Sequence, residues 1–333
     1  MSSPLSTYII FQGKQQVVLE SRARPEPDTG QVLIKAHKSL MSTGTENIVF
    51  NRLFDEGTHW DRWVKYPFYP GYALAGEVEA IGENVTKVRV GDRVAVRAGH
   101  GSHAMVSEAA CYPIPESLSY EEAVWFALAK IAFIGAKAAA YRLGDKVLLI
   151  GAGPIGQMSL RWAKASGAET VILVDPLAER EAVSLSGGAA AYIMAGLDSA
   201  EDAIKSAGGG EVPGIIIDST GNATVFASAL HLAPRHGRVV VLGDTGSPGK
   251  QVLTGDVIIK GLTIVGAHDG HQFPGWAEAD IIRLFFELVT SGRFPLAGLN
   301  THTFEPEACV DAYVTANRER AKTMGILFDW TSH

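Results

Sequence analysis

The chain has 333 residues, 47% of them hydrophobic and 20% charged, which is an ordinary globular composition and enough length for two domains with sizeable cores. A formal net charge of -7 argues against nucleic acid or an anionic membrane as a partner, because both need clustered Lys and Arg. Cys111 and Cys309 are too few for a disulfide framework, the N-terminus has no basic and apolar leader, and no apolar run reaches about 18 residues. We therefore expect a cytoplasmic protein whose partner is a small molecule.

The first third of the chain reads as β structure. Short apolar or alternating runs separated by Gly and Pro fill residues 7–107, for example at 32–36, 75–82 and 93–96. This texture is typical of an antiparallel β domain.

A helix rich in Ala is predicted at residues 120–141, and alternating elements follow it. Strands at 147–150, 170–174, 214–218, 239–242 and 262–265 alternate with helices, which predicts a parallel doubly wound sheet. Residues 294–330 return to mixed strands with one helix near 305–318, and we expect them to fold back on the first domain. The predicted fold class is α/β.

Residues 146–156, KVLLIGAGPIG, carry a dinucleotide-binding fingerprint. Gly151 permits a tight turn from strand to helix, Gly153 lets the backbone approach a pyrophosphate, and Gly156 lets the helix pack closely on the strand. The helix N-terminus then holds phosphate charge. Asp175 is placed to accept hydrogen bonds from the adenosine ribose, which favours NAD over NADP, and Arg180 lies one helical turn too far to compensate for that carboxylate directly. The predicted cofactor-binding residues are Gly151, Gly153, Pro154, Ile155, Gly156, Asp175, Arg180, Thr220, Gly243 and Ala267.

Several other motifs stand in a fixed order around the fingerprint, at 27–35, 42–46, 70–78, 90–94, 237–243 and 264–268. Together they resemble the medium-chain dehydrogenase/reductase superfamily, the relatives of alcohol and sorbitol dehydrogenases, over nearly the whole chain. The resemblance implies a GroES-like β domain at 1–122, a Rossmann domain at 123–292, a return to the first domain at 293–333, and a homodimer or homotetramer. Residues 42–46 (STGTE) and 70–72 (PGY) look most like the zinc-lacking branch near bacteriochlorophyllide dehydrogenase.

The departures from the zinc-containing members are as informative as the matches. By resemblance, Thr43 takes the place of a ligand Cys, Tyr72 and Ala73 replace a His and a Glu, and the later ligand falls at about Ala127. Catalytic Zn²⁺ needs three nitrogen, sulfur or carboxylate ligands. We therefore expect no zinc and no metal site.

A structural zinc lobe is also not expected, because residues 97–103 replace its closely spaced cysteines. His100 and His103 stand in this stretch, and we expect them in a solvated loop rather than at a metal. His37 and His302 are read as structural residues, and Glu46 as a group that orients the cleft.

Without a metal, hydrogen-bond donors must stabilise the oxygen of the reacting substrate. By resemblance, Thr45 matches the family's proton-relay hydroxyl, while Thr43 and Tyr72 should point at the space of the lost ligands. Packing or turn hydrogen bonding explains the three residues equally well. Lys130 interrupts an apolar helix and is read as a donor to the substrate oxygen, with a surface lysine as the alternative.

His268 follows the last predicted strand of the Rossmann part, whose carboxyl end should reach the nicotinamide. Its imidazole could carry the proton to solvent, and a histidine held by a backbone carbonyl is the equal alternative. The aromatic residues of segment 50–69 are predicted to line the entrance of the substrate site, and the alternatives are a contact between subunits or a local hydrophobic core.

The leading prediction is a zinc-independent, NAD-dependent oxidoreductase that interconverts a secondary alcohol and a ketone. A quinone or enone reductase that uses NADPH is the first alternative, and Asp175 opposes it because a carboxylate repels a 2′-phosphate. A nucleotide-binding module without catalysis is the second alternative, since fold alone does not imply activity.

Overall fold

The computed structural model describes residues 4–333, so residues 1–3 of the N-terminal stretch in which we expect no leader lie outside the described residues. The strands are β1 Leu5–Gly13, β2 Gln16–Ala23, β3 Gln31–Met41, β4 Leu74–Ile81, β5 Arg93–Val96, β6 His103–Ser107, β7 Tyr112–Pro113, β8 Lys146–Ile150, β9 Thr170–Val174, β10 Ala191–Ile193, β11 Ile215–Asp218, β12 Arg238–Val241, β13 Thr263–Gly266, β14 Asn300–Phe304 and β15 Gly325–Asp329. The α-helices are α1 Thr43–Asn51, α2 His59–Trp63, α3 Tyr120–Ala123, α4 Phe126–Ala139, α5 Pro154–Ala165, α6 Glu181–Ser186, α7 Glu201–Ala207, α8 Ala223–Leu232, α9 Asp256–Lys260, α10 Glu278–Thr290 and α11 Cys309–Arg318.

Two large sheets organise the chain. A seven-stranded sheet has the order β14-β15-β3-β4-β5-β7 with β6 paired to β3, and β1 and β2 form a separate antiparallel hairpin. The second sheet has the order β10-β9-β8-β11-β12-β13 and is parallel throughout. The predicted α/β fold class, a GroES-like antiparallel sheet with a Rossmann-type parallel sheet, is confirmed. The domain boundaries at residues 122 and 292 stay a prediction.

The C-terminal strands belong to the first sheet. β15 pairs antiparallel with β3, and β14 pairs parallel with β15, although some 250 residues of chain separate β3 from them. The parallel sheet is thus formed by chain lying between two parts of the antiparallel sheet.

The Ala-rich segment differs from its prediction. Instead of one helix over 120–141, α3 ends at Ala123 and α4 begins at Phe126. The buried indole of Trp125 lies at this break and donates a hydrogen bond from Nε1 to Asn300 Oδ1 at 2.8 Å. The break thus coincides with a contact to a residue 175 positions away along the chain, in a segment whose local sequence favours one helix.

Helix α4 lies at the centre of the larger core. Its exposed position is Lys137, and its small Ala side chains allow close packing against α5, α10 and β12. The sequence missed strand β10, because its three residues are only half-buried and form no continuous apolar run. Within residues 4–333, none of the helices has the length and apolar character needed to cross a membrane.

Candidate active site

The turn between β8 and α5 has the geometry that the fingerprint predicts. Gly151 adopts φ +90°, a left-handed conformation that glycine accepts without strain. A β-carbon on Gly156 would lie 1.9 Å from the carbonyl oxygen of Gly151, so only glycine allows this approach of helix to strand. Pro154 and Ile155 form the first turn of α5. The result is a cradle of backbone N–H groups that suits a pyrophosphate.

Asp175 directly follows β9 beside this turn and is buried. Its Oδ2 accepts from the Ala152 N–H at 2.8 Å and from Arg180 Nη1 at 3.0 Å, while Oδ1 accepts from Leu177 N–H at 3.0 Å. The expectation that Arg180 lies too far away to compensate for Asp175 is wrong. A short 3-10 turn at Ala178–Arg180 brings the guanidinium back onto the carboxylate.

Arg180 also borders open space. A β-carbon on Gly153 would lie 3.5 Å from Arg180 Nη1, so the guanidinium stands over the phosphate-binding turn. A cavity of about 420 Å³ continues from Arg180 along Lys322 and Met324. The adenosine end of the fingerprint therefore contains a cation as well as the predicted acid.

Three other predicted cofactor residues stand just past the carboxyl ends of β11, β12 and β13. Thr220 donates from N and Oγ1 to Asp218 Oδ1, at 2.8 and 2.6 Å. Gly243 approaches Gly221 so closely that a β-carbon there would lie 2.3 Å from the Gly221 nitrogen, and Ala267 is buried with its N–H donating to Val241. The three positions share one edge of the parallel sheet, as the predicted topology requires.

The sequence missed Asp218, the buried carboxylate that shapes this edge. Burial raises the pKa of Asp218, and the hydrogen bonds from Thr220 oppose that shift. An acid ending a run of three isoleucines is the sequence signal that would have identified it.

In the antiparallel-sheet part of the chain, Tyr72 meets the start of α1. The Tyr72 hydroxyl donates to Ser42 Oγ at 2.5 Å, and Ser42 precedes Thr43, the first residue of the helix. Burial raises the pKa of Tyr72, whereas hydrogen bonds to Ser42 and Thr45 oppose the shift. The structure thus places Tyr72 beside the start of the helix that holds Thr43 and Thr45, and it adds Ser42, which sequence reasoning missed.

The positions of the expected zinc ligands do not fit that metal. Ala73 and Ala127 are fully buried methyl groups, and the oxygen of Tyr72 is engaged with Ser42. A zinc ion bound by protein needs Cys, His or carboxylate donors, which these positions do not supply. Among residues 4–333, no three His, Cys, Asp or Glu side chains are grouped so as to hold a metal ion.

Lys130 is buried on α4, and its ammonium group is directed at Asp269. Nζ donates to Asp269 Oδ1 at 2.8 Å and to the Asp269 carbonyl oxygen. The alternative of a surface lysine is wrong, because burial and the two acceptors fix the side chain. Its predicted role as a substrate donor stays a prediction, and it would require one of these hydrogen bonds to be exchanged.

Arg97 joins the two sheets at the same carboxylate. It follows β5 of the antiparallel sheet, and it binds Asp269 through Nη1 and Nη2 at 3.1 Å each, whereas Nε donates to Glu278 at 2.6 Å. Burial lowers the pKa of Arg97, but Asp269 and Glu278 outweigh it and raise the pKa overall. The guanidinium lies 5.7 Å from the ring centroid of Tyr72.

His268 is exposed just after β13, where the sequence places it. Its Nδ1 accepts from the Gly270 N–H at 3.0 Å, so the ring is held by a backbone donor rather than by a carbonyl. The His59 ring lies 6.5 Å away, and His59 Nε2 is 2.8 Å from Asp244 Oδ2 across the cleft. The proton-carrying role of His268 stays a prediction.

The aromatic segment 50–69 divides between core and surface. Phe50 and Trp60 are buried in the core of the antiparallel sheet, whereas Trp63 and Tyr69 are 52% and 42% exposed. A role in lining the substrate site stays a prediction for the exposed members.

The prediction that His100 and His103 lie in a solvated loop at residues 97–103 is wrong, because both side chains are buried. His100 and His103 are 1% and 2% exposed. His100 lies between Ser39 and Glu46, with ring nitrogens at 2.8 and 3.1 Å from their oxygens. The local sequence is rich in Gly and looks like a surface loop, but tertiary contacts bury it. Glu46 is buried, and its predicted role in orienting the cleft stays a prediction.

The remaining predicted structural histidines lie outside this cluster. His37 stacks on Tyr120 with ring centroids 4.3 Å apart, and burial lowers its pKa. His302 lies in β14, with Nδ1 3.0 Å from Thr301 Oγ1.

Comparison with known protein families agrees with this architecture. Residues 28–120 match the family described as the alcohol dehydrogenase GroES-like domain, and residues 154–284 match the zinc-binding dehydrogenase family. The chain belongs to the medium-chain dehydrogenase/reductase superfamily. It is therefore an oxidoreductase of the alcohol dehydrogenase type, and the predicted superfamily and enzyme class are confirmed.

Individual relatives extend along most of the chain. L-threonine 3-dehydrogenase of Bacillus licheniformis is 28% identical over 85% of this chain and 87% of the relative. Sorbitol dehydrogenase of Bos taurus is 25% identical over 95% of this chain and 94% of the relative. An alcohol dehydrogenase of Escherichia coli CFT073, solved with NADH, superposes with a TM-score of 0.83 at 22% identity and covers 98% of this chain and 99% of its own.

Proposed function

We propose that the protein interconverts a secondary alcohol and a ketone by hydride transfer, with a nicotinamide cofactor and without zinc. One observation carries the proposal: Tyr72, at a position where the resemblance to the family implies a zinc ligand, donates its hydroxyl hydrogen to Ser42 Oγ at 2.5 Å beside the start of α1. The glycine cradle at Gly151 and Gly156 fits a dinucleotide at the other end of the same cleft.

The nicotinamide, when bound, supplies or accepts the hydride. In ketone reduction the Tyr72 hydroxyl donates its proton to the oxygen that gains negative charge, and the Tyr72 phenolate regains a proton from water through the Ser42 hydroxyl, which gives one proton and takes up one. Burial raises the pKa of Tyr72, so the phenol stays protonated near neutral pH and can act as this donor. Alcohol oxidation is the reverse, with the hydroxyl proton leaving through the same two side chains.

The cofactor half of the proposal favours NAD, because Asp175 can accept hydrogen bonds from ribose hydroxyls. The Asp175–Arg180 pair is a specific observation in favour of a second candidate, the NADPH-dependent quinone or enone reductase. A guanidinium 3.0 Å from the acid offers a 2′-phosphate a cation that the sequence alone did not place there.

The experiment follows nicotinamide absorbance after chelator treatment, with NAD and NADP offered in turn. L-threonine and sorbitol, the substrates named for the relatives, begin the alcohol panel, and simple ketones, a quinone and an enone complete it. Turnover of an alcohol or ketone that survives chelation supports the proposal. Turnover restricted to the quinone or enone supports the second candidate, and cofactor binding without any turnover indicates a non-catalytic module.

We also propose that the partner of the chain is a second copy. β13 is the last strand of the parallel sheet, so its outer backbone groups are unpaired within residues 4–333. Next to it Leu253, Ile258 and Ile259 are 69%, 89% and 67% exposed. An open strand edge flanked by apolar side chains is suited to pair with itself around a twofold axis.

Analytical ultracentrifugation of the wild type and of Ile258→Lys measures the oligomeric state and so tests the proposed dimer. A dimer that dissociates in the variant supports this interface, and a monomeric wild type contradicts it. We further propose that the protein is cytoplasmic and that its domains divide at residues 122 and 292.

A further inference from the structure

His100 stands directly behind the residue that carries the proposed chemistry. Its backbone N–H donates to the carbonyl oxygen of Pro70 at 2.8 Å. A β-carbon on Gly71 would lie 2.8 Å from Cδ2, Cε1 and Nε2 of the imidazole, so the ring lies flat over the Gly71 backbone. Gly71 has φ +89°, and Tyr72 follows it. The ring and the turn therefore fix the point from which Tyr72 enters the cleft.

The hydrogen bonds around the ring define which nitrogen carries the proton. Nε2 is 3.1 Å from Glu46 Oε2, and an ionised carboxylate only accepts, so His100 carries a hydrogen on Nε2 and donates it to Glu46. In the neutral imidazole Nδ1 is then an acceptor, and it accepts from the Ser39 hydroxyl 2.8 Å away. Ser39 Oγ in turn accepts from Trp330 Nε1 at 2.9 Å.

Glu46 connects the ring to the partner of Tyr72. Its Oε1 accepts from the Ser42 N–H at 2.7 Å, and its Oε2 also accepts from the Tyr313 hydroxyl at 2.6 Å. The carboxylate is buried and is satisfied by three donors rather than by a nearby Lys or Arg. His100 thus supports both sides of the Tyr72–Ser42 hydrogen bond, through Gly71 on one side and through Glu46 on the other.

We propose that His100 is a positioning residue for Tyr72, acting through its ring contact with Gly71 and its hydrogen bond to Glu46. The inference rests on the proposed function, because it assigns to a buried imidazole the orientation of the donor in that reaction. Preorganised donors act only if their own orientation is fixed, and an error of about 1 Å can cost on the order of 100-fold in rate.

The chain supplies a matched control three residues away. His103 is buried to the same degree, with Nδ1 3.0 Å from Ser102 Oγ and Nε2 3.1 Å from Glu79 Oε2. Its carboxylate partner lies on β4, outside the cluster formed by Glu46, Ser42 and Tyr72. Substitution at position 103 disturbs a buried histidine and its acid without touching the hydrogen bonds of Tyr72.

The experiment compares His100→Asn, His100→Gln and His103→Asn. The Asn amide can replace Nδ1 but does not reach Glu46, whereas the longer Gln amide reaches the position of Nε2. We expect kcat for the best substrate of the panel to fall on the order of 10-fold to 100-fold in H100N, to recover in large part in H100Q, and to stay within about twofold in H103N. Cofactor Kd should be unchanged in all three.

A double-mutant cycle identifies the route of the effect. If His100 acts through Tyr72, H100N should change kcat by less than about twofold in the Tyr72→Phe background. The reason is that the hydroxyl that His100 positions is already absent there. Equal fold losses with and without Tyr72 would overturn the inference, and so would an H100N rate equal to that of H103N. A thermal melt of each variant separates slow turnover from loss of folded protein.

The outcomes also separate this inference from the function on which it rests. No turnover by the wild type with any panel member, or full turnover by Tyr72→Phe, contradicts the proposed function, and the positioning role of His100 fails with it. If Tyr72→Phe loses activity as expected but the kcat of H100N equals that of the wild type, only the positioning role of His100 is contradicted.

Discussion

The two ends of the cleft are built in different ways. The cofactor end is made largely of backbone, with Gly151 and Gly156 shaping a turn inside one continuous stretch of chain. The substrate end is made of side chains that arrive from separate elements, among them Ser42, Tyr72 and Arg97. A local motif fixes the first, whereas only the tertiary fold assembles the second. Substitutions at the two ends should therefore affect different constants, Kd for the cofactor at one end and kcat at the other.

The largest effect is expected from removing one oxygen atom at the substrate end. Tyr72→Phe deletes the proposed donor, and kcat should fall at least about 100-fold, as for loss of a general acid. Cofactor Kd, measured by fluorescence titration, should stay unchanged. Tyr120→Phe is the control, since the Tyr120 hydroxyl makes a similar hydrogen bond to Glu77 at 3.0 Å away from the start of α1. Equal rates for the two variants would remove Tyr72 from the mechanism.

At the cofactor end, the choice of dinucleotide should depend on Asp175 and Arg180. Arg180→Leu leaves the acid without its cation, so NADP affinity should fall on the order of 10-fold while NAD affinity changes less. Asp175→Ala should move the preference in the opposite direction. Kd values for both dinucleotides, measured by calorimetry, decide the matter. If neither variant changes the ratio of the two Kd values, Asp175 and Arg180 do not distinguish the ribose of NAD from that of NADP.

Lys130→Met tests a contact that lies between the two ends. The variant removes the buried ammonium from Asp269, which remains paired with Arg97. A loss of about 1.5–3 kcal/mol in the free energy of unfolding is expected, the usual range for a hydrogen bond to a charged group. Urea denaturation measures it. A loss of kcat with unchanged stability would instead favour the donor role that the sequence suggests.

The smallest effect is expected from an ion pair that makes no hydrogen bond to Tyr72, Ser42 or Glu46. Lys38 Nζ binds Asp329 Oδ2 between β3 and β15, and burial raises the pKa of Asp329 less than the hydrogen bonds from Lys38 and Thr331 lower it. A carboxyl whose pKa is lower in the folded state stabilises the fold above its unfolded pKa, and this stability is lost as pH falls through the folded pKa. Asp329→Asn should therefore be less stable than the wild type at pH 7, and the difference should shrink in acid. Thermal melts at both pH values provide the measurement.

The features that could be predicted from the sequence are those with local sequence patterns. The alternation of strands and helices, the fingerprint and the order of the motifs are local, and they gave the fold class and the superfamily correctly. Strand β10 was missed because three half-buried residues carry little hydrophobic signal. The break at Trp125 was missed because Asn300, its partner, is 175 residues away.

The same limit applies to the candidate site. Arg97 and Asp269 are separated by 172 residues, and neither has a neighbour in sequence that indicates the pair. Helical spacing predicts that Arg180 is too far from Asp175, but the chain turns back between them, so the two side chains meet. The Gly-rich sequence around His100 predicts a solvated loop, because such sequences usually lie at the surface. In each case the deciding contact is long-range or depends on a turn.

The most direct test of the central claim is the turnover rate of the wild-type enzyme before and after removal of metal ions, measured beside Tyr72→Phe. Hydride transfer supported by Tyr72 in place of zinc predicts an unchanged rate after chelation and a loss of at least about 100-fold in the variant. A rate that disappears on chelation and returns with added Zn²⁺, with Tyr72→Phe as active as the wild type, would contradict the account.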